Sequence, residues 1–298
     1  MSESVTIYDI AKACDVSIAT VSRVLNHSPK VSVKTKEKIL AKMKDLQYNP
    51  SPFARSMGLQ SLRLIAIVCR TMALSPISDA VTQLTLTLQH HGYGALLCVG
   101  TEEEIRQALA TTHVDAMISF YDPVPSALAK TIPSIVVEGG DDALPAYQIQ
   151  SSLTVGIDEI IEKFAKQGLQ RPLCLWDDRL YLKHLKNALN RHNVKVLSLS
   201  ATADWTKLPA CDSIIATTDT LAVMAATHLQ RQNQSTPVVS LVESPLTAAM
   251  EITSLQTNFT SQCDMAVQHV LTLLSTAPTA VPIRTEFQAH WIYRSSFQ

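Results

Sequence analysis

The chain has few of the features that mark nucleotide enzymes, metalloproteins or membrane proteins. Only eight of its 298 residues are glycine. None builds a Gly-x-Gly-x-x-Gly turn or a phosphate loop ending Gly-Lys-Ser/Thr, which removes the common backbone cradles for nucleotides. No run of about eighteen apolar residues exists, so no membrane span is expected. The first residues carry acid and hydroxyl groups where a secretory leader would be basic and then apolar. The six cysteines, Cys14, Cys69, Cys98, Cys174, Cys211 and Cys263, are scattered through apolar runs without a Cys-x-x-Cys pair. Buried reduced thiols and a cytoplasmic location are therefore expected. The nine histidines show no two-on-one-face spacing beside a carboxylate. His90 and His91 are adjacent, so they point apart on a helix, and a surface pair ahead of Gly92 is expected. No metal, no cofactor and no catalytic constellation is expected, which argues against an enzyme.

What remains is an ordinary globular composition, long enough for one small domain and a larger, bilobed one. The net charge of −1 hides an asymmetry. Residues 1–63 hold ten Lys and Arg against five Asp and Glu, whereas the rest holds fifteen against twenty-one. A basic first segment beside an acidic body is the footprint of a chain in which only the first part meets phosphate.

Residues 6–26 explain that segment. Thr6 is a good N-cap, with Asp9 placed three residues on to bond back. Ile7, Ile10, Ala11 and Cys14 repeat at helical spacing. After Asp15 and Val16, Ser17 can cap a second helix that buries Val21, Val24 and Leu25. Its other side keeps Ile18, Ala19, Ser22, Arg23 and Asn26. Such a face suits a DNA major groove: Ile or Ala can touch a thymine methyl, and Arg can make two hydrogen bonds to a guanine edge. Ser32 can cap a third helix reaching about Leu46, with Ile39, Leu40, Met43 and Leu46 as its packing face. Tyr48 is expected in the same core.

The string from Thr6 to Met57 resembles the DNA-binding headpiece of the lac and galactose repressor (LacI/GalR) family. Val16-Ser17-x-x-Thr20-Val21-Ser22-Arg23-Val24-Leu25-Asn26, then Val31-Ser32 and Tyr48-x-Pro50, carry the likeness. It implies a transcription regulator and double-stranded palindromic operator DNA as partner. By this resemblance Arg23, Ile18 and Ala19 read bases, while Ser22, Asn26 and Tyr8 sit on phosphates. Ile7, Ser17, Thr20, His27, Ser32 and Arg55 complete the DNA-contacting set. Residues 51–61 correspond to a hinge helix and linker, with Met57 at the position that wedges into the minor groove. The domains are thus 1–50, an all-α helix-turn-helix headpiece; 51–61, the hinge; and 62–298, an effector-binding and dimerisation domain.

From Leu62 short apolar runs alternate with helical segments. Expected strands are 64–69, 95–99, 116–120, 135–138, 173–176, 194–199, 213–217 and 238–242. Helical spacing covers 78–90, 153–167, 182–191, 221–232 and 262–274. This alternation predicts parallel sheets wrapped by helices, and two such sets predict two lobes with a ligand beyond the strands' C-terminal ends. The family's α/β bilobed, periplasmic-binding-protein-like sensor is similar. The closing HWIYRSSF resembles its final strand, and no heptad tail follows, so a homodimer is expected.

Asp219, between a strand and a helix, can accept hydrogen bonds from sugar hydroxyls or serve as an N-cap. In the family the matching Asp contacts the effector. Within the family, MGLQSLRLIAIVCRTMALSP, HHGYGALLCVG and ATTDTLAVMAATHLQRQ resemble the trehalose-responsive repressors. That likeness places Arg70 where a sugar phosphate, possible in kind as trehalose 6-phosphate, could be gripped by paired guanidinium bonds. Thr71, Arg179, Lys183 and Glu243 are further candidates for the cleft, and Trp176 is either a stacking platform or a core aromatic. The chain departs from the family pattern at Gln150, Ser151 and Ser152, where an acid is expected, and at Glu243, where relatives often carry Asp or Asn. The alternatives carried forward are an effector-independent regulator, a carbohydrate-binding protein with a degenerate sensor, and, last, a sugar-metabolising enzyme.

Overall fold

Three short helices gather around one small core at the start of the chain, as their apolar spacing requires. α1 (Ile7–Cys14) buries Ile10, Ala11 and Cys14; α2 (Ile18–Leu25) buries Val21 and Val24; α3 (Val33–Asp45) buries Ile39 and Met43. The computed structural model describes residues 5–25, 28, 30–46, 48, 61–120, 126–139, 147–178, 183–199, 205, 208–275 and 284–297. The helix ends obey local chemistry. The Asp9 carboxylate accepts from the Thr6 amide at 2.8 Å and its hydroxyl at 2.6 Å. Ser17 and Ser32 accept from the Thr20 and Thr35 amides at 3.1 and 3.2 Å, capping α2 and α3. Lys38 spends its ammonium on the Cys14 carbonyl at 2.8 Å, tying α3 to the end of α1. Leu40 is exposed rather than packed. It lies one residue, about 100°, around the helix from Ile39, which with Met43 owns the buried stripe.

The chain then enters the first lobe, where Asp115 gathers its backbone. That carboxylate accepts from the amides of Leu62 and Leu64 at 3.2 and 3.0 Å and from the Ser61 hydroxyl at 3.0 Å. The elements that follow are β1 (Leu64–Cys69), α4 (Ser75–His90), β2 (Gly94–Val99), α5 (Glu102–Thr111), β3 (Ala116–Phe120), α6 (Ser126–Ala129), β4 (Ser134–Val137) and β5 (Tyr147–Ser151). The second lobe holds α7 (Leu153–Lys166), β6 (Pro172–Trp176), α8 (Lys183–Arg191), β7 (Lys195–Ser198), β8 (Ser213–Ala216), α9 (Asp219–Arg231), β9 (Val238–Ser240), α10 (Pro245–Ala249) and β10 (Thr253–Gln256). α11 (Phe259–Ser275) and β11 (Arg284–Phe287) return to the first lobe, and β12 (His290–Ile292) ends in the second.

The two sheets run β11-β5-β4-β3-β1-β2 and β12-β10-β9-β8-β6-β7. Every described ladder is parallel except β10 with β12. β1 shows why these strands read as unbroken apolar runs: Ile65, Ile67 and Cys69 face one core while Ala66 and Val68 face the other. A parallel strand covered by helices on both sides has no solvent face to make polar. In the second lobe the sheet and α7 approach so closely that a Cβ on Gly156 would sit 2.9 Å from a Leu255 methyl. The Gly156 carbonyl there accepts from the Trp291 indole at 2.9 Å. Among the described residues no helix is long and apolar enough to cross a membrane.

The expected strands all form, with ends shifted by a few residues. β5, β10 and β11 were not anticipated, and the helix expected from Ser78 starts three residues earlier, with Pro76 in its first turn.

Candidate DNA-reading and ligand-binding sites

Helix α2 presents two faces. Val21 and Val24 are buried, while Ile18, Ala19 and Arg23 stand exposed on the opposite side, Ile18 at 41%. Positions 18, 19, 22 and 23 fall within one sector of a 3.6-residue helix, so these side chains form one surface. Tyr8 on α1 is 66% exposed. Ile7 leans on the small core. Ser17 and Thr20 are engaged in capping, with their hydroxyls 2.9 Å apart, and Ser32 makes the same pair with Thr35 at 2.8 Å. Ser22 is half-buried and hydrogen-bonded or otherwise engaged within the fold. Asn26, His27, Arg55 and Met57, together with the hinge helix, lie outside the described residues.

Between the lobes lies a cavity of 280 Å³. It opens where doubly wound sheets place ligands, beyond the C-terminal ends of β4, β8, β9 and β10. Glu138 follows β4, Thr217 to Asp219 follow β8, Val242 and Glu243 follow β9, and Thr257 to Ser261 follow β10. Three carboxylates line it, and among the described lining residues there is no Lys, Arg or His.

Asp219 sits at the first turn of α9, but Thr218 is the cap, accepting from the Leu221 amide at 3.3 Å. Asp219 uses Oδ1 on the Thr220 amide at 2.7 Å. Its Oδ2 is buried without a hydrogen-bond partner among the described residues, in a residue only 3% exposed. A buried acceptor without a donor is costly, so in a residue that lines a cavity it marks a candidate ligand position.

Glu243 differs, because its charge is already matched. Arg294 donates to it from both terminal nitrogens, at 2.6 and 2.9 Å, and Ser254 donates as well. Burial pushes this carboxyl up, but the bonds from Arg294 and Ser254 outweigh that and hold it below its ordinary value of 4.5. The pair therefore stabilises the lobe above about that pH and loses its contribution as pH falls through the depressed value. Arg294→Ala is expected to cost about 3 kcal/mol at neutral pH, because it leaves a half-buried carboxylate alone. The loss should shrink on acidification. Denaturant midpoints at pH 7 and pH 4 check this; equal losses at both would show that packing, not charge, is at stake.

Glu138, missed in the sequence, is 2% exposed. Its Oε2 accepts from the Ser151 amide at 3.2 Å and its Oε1 from the Gln262 amide group at 2.6 Å, and the Ser151 hydroxyl also donates to it. Burial raises its carboxyl pKa, and the bonds from Ser151 and Gln262 oppose that only in part. The signal was present: an acid directly after an apolar strand and before Gly139, the same grammar that pointed to Asp219.

The remaining candidates fall elsewhere. Arg70 and Thr71 are not among the cavity's lining residues; Thr71 turns its hydroxyl to the Ala73 amide at 3.1 Å. Trp176 is a core residue, with the Lys186 ammonium 4.7 Å from its ring centre, and does not line the cavity. Arg179 and the side chain of Lys183 lie outside the described residues.

Comparison with known proteins gives this geometry its context. Residues 6–51 match the family model of bacterial regulatory proteins, lacI family. Residues 6–51 are thus similar to the lacI family. Beyond it the likeness is broader and thinner. An HTH-type transcriptional regulator of Lachnoclostridium phytofermentans is 30% identical over 210 residues, covering 63% of this chain and 62% of that protein. A sucrose operon repressor of Streptococcus mutans is 35% identical over 116 residues, covering 37% of this chain and 36% of that protein. The matched part thus spans less than two thirds of these relatives' lengths. The crystal structure of the lac repressor dimer bound to operator and the anti-inducer ONPF superposes with a TM-score of 0.80 at 22% identity, covering 99% of both chains. The segment that matches the lacI-family model is therefore followed by the two-sheet, bilobed α/β fold of that structure.

Proposed function

We propose that the protein is a sequence-specific DNA-binding transcriptional regulator, a repressor of carbohydrate-utilisation genes, and not an enzyme. On this reading α2 enters the major groove of a palindromic operator, and a sugar in the interlobe cavity changes operator affinity. The observation that carries the reading is the combination, in one chain, of a lacI-family headpiece and an interlobe cavity lined by Asp219, whose buried Oδ2 has no partner among the described residues. A homodimer supplies the two half-site readers. The exposed Leu97 and Val99 on edge strand β2, with Leu86 on neighbouring α4, support pairing through the first lobe.

The lining favours an uncharged, hydroxyl-rich sugar. Each hydroxyl can donate to a carboxylate, whereas a phosphate among Glu138, Asp219 and Glu243 would face three acids without a described lining cation. Trehalose 6-phosphate, the effector implied by the trehalose-repressor likeness, would need Arg70, which does not line the cavity, to swing to it. The relatives' names extend the choice to sucrose.

The test is fluorescence anisotropy of the full chain on its own upstream DNA, titrated with sucrose and with trehalose 6-phosphate. Release by sucrose alone supports the uncharged-sugar reading. Release by the sugar phosphate alone moves the site towards Arg70. Tight binding that neither alters leaves an effector-independent regulator, and no specific binding at all removes the regulator.

A further inference from the structure

The chain passes between the lobes three times within the described residues: at Ser151–Ser152 from β5 to α7, at Thr257–Asn258 from β10 to α11, and at Gln288–Ala289 from β11 to β12. Any rearrangement of one lobe against the other must turn these segments. They are bonded to one another. The Ser152 amide donates to the Phe287 carbonyl and the Ala289 amide to the Ser152 hydroxyl, both at 2.9 Å, joining the first crossing to the third. Asn258 donates to the Gln288 carbonyl at 3.3 Å, joining the second to the third.

The first and second are joined through Glu138. Its carboxylate holds the Ser151 amide and hydroxyl on one side and the Gln262 amide group on the other. The Gln262 nitrogen also donates to the Thr257 carbonyl at 2.7 Å. With Glu138 the three crossings form a closed ring of hydrogen bonds; without it the ring is open. The crossing that departs from the family's acidic pattern, at Ser151, thus has its acid brought from β4. Two further features bear on Glu138. Its backbone is left-handed, at φ 56°, as is that of Asn258 at the second crossing, at φ 55°. Glu138 also lines the cavity, and its carboxylate has about four acceptor sites, of which the described bonds fill three.

We propose that Glu138 is the coupling residue of the sensor: one carboxylate clasps the interlobe crossings and faces the cavity, so a donor-bearing ligand reaches the hinge through it. The ligand half rests on reading the cavity as a sugar site; the clasp half does not. A ligand acts on a hinge only through unequal interaction with its two arrangements. A hydroxyl that takes the last acceptor site of Glu138, or displaces Ser151 or Gln262 from it, makes that interaction unequal.

Amide hydrogen exchange of the full chain, without ligand, tests the clasp. In Glu138→Gln the new carbonyl can keep the Ser151 hydroxyl and Gln262, but its amide then faces the Ser151 amide, donor against donor, so the arm to the first crossing is weakened. Amides at 151–152, 257–258 and 288–289 should exchange about tenfold faster together, while those in β1 and β6 keep wild-type rates. The third crossing decides, because Glu138 does not touch it. Acceleration confined to Ser151 would show a local bond, and acceleration throughout would show a merely structural residue; either overturns the proposal. Ser151→Ala, which removes one donor and leaves the acid, should give the same pattern more weakly, and guards against a variant that fails to fold.

The ligand half is read by anisotropy with sucrose as probe. Glu138→Gln should bind operator within about fivefold of wild type, while at sucrose concentrations that saturate the variant the effect of sucrose on operator affinity falls to none. Undiminished coupling in the variant overturns this half. If sucrose moves neither protein, the effector reading is what fails, and the exchange pattern alone decides the clasp.

Discussion

Arg23→Ala should weaken binding to the cognate operator by about 100-fold while leaving binding to scrambled DNA almost unchanged. Arg23 is exposed on the face of α2 that also carries Ile18 and Ala19, and the helix's core contacts come from Val21 and Val24. Its removal therefore takes away a base-edge contact without loosening the headpiece. A guanine read by two guanidinium bonds is worth about 1–3 kcal/mol, and a dimer uses the contact twice. A base contact also differs from a phosphate contact in its salt response: the slope of log affinity against log salt should stay as in wild type. Anisotropy on cognate and scrambled duplexes over a range of salt measures both quantities. Equal losses on the two DNAs, with a shallower slope, would place Arg23 on the backbone instead.

The second large effect is expected at Asp219. Asp219→Asn should weaken effector binding by about 100-fold, the scale of a charge-assisted hydrogen bond together with the reversed polarity of the new amide. Operator affinity without effector should not move. Nor should stability fall by more than about 1 kcal/mol, because Oδ2 has no partner to lose among the described residues and Oδ1 can still accept from the Thr220 amide. Binding and stability would thus separate, the signature of a group held in a costly state for a ligand. Calorimetric titration with the sugar that releases wild-type protein, beside thermal unfolding, provides both readings. A large loss of stability with effector binding intact would reduce Asp219 to a helix-end residue.

The sequence was most legible where local chemistry decides. The capping residues Thr6, Ser17 and Ser32, and the buried stripe of each short helix, mark the headpiece almost residue by residue. Leu40 misled because apolar character was read without its angle from Ile39. In the sensor, strands covered on both faces announce themselves as apolar runs. Tyr147–Ser151 did not, because its buried side chains include Gln148 and Gln150, whose burial depends on partners distant in sequence. Asp219 and Glu243 could be found as acids following strands. That Glu243 would be claimed by Arg294, fifty-one residues on, could not. Trp176 and Arg70 show the same limit: whether a side chain after a strand faces core, solvent or cavity is settled by which helix packs over it.

The path of the chain also sets an order of manufacture. The first lobe's core includes Cys263, Ala266, Val267 and Val270, and its edge strand is Arg284–Phe287. A ribosome releases those residues only after most of the second lobe, so this lobe waits, incomplete, while the second is being made, and the two mature together. A nascent chain halted before Phe259 exposes an uncovered apolar sheet, the kind of surface that chaperones hold and that aggregates form upon. The headpiece, whose described core lies wholly between Val5 and Tyr48, has no such wait. Synthesis thus completes the three-helix core well before either lobe.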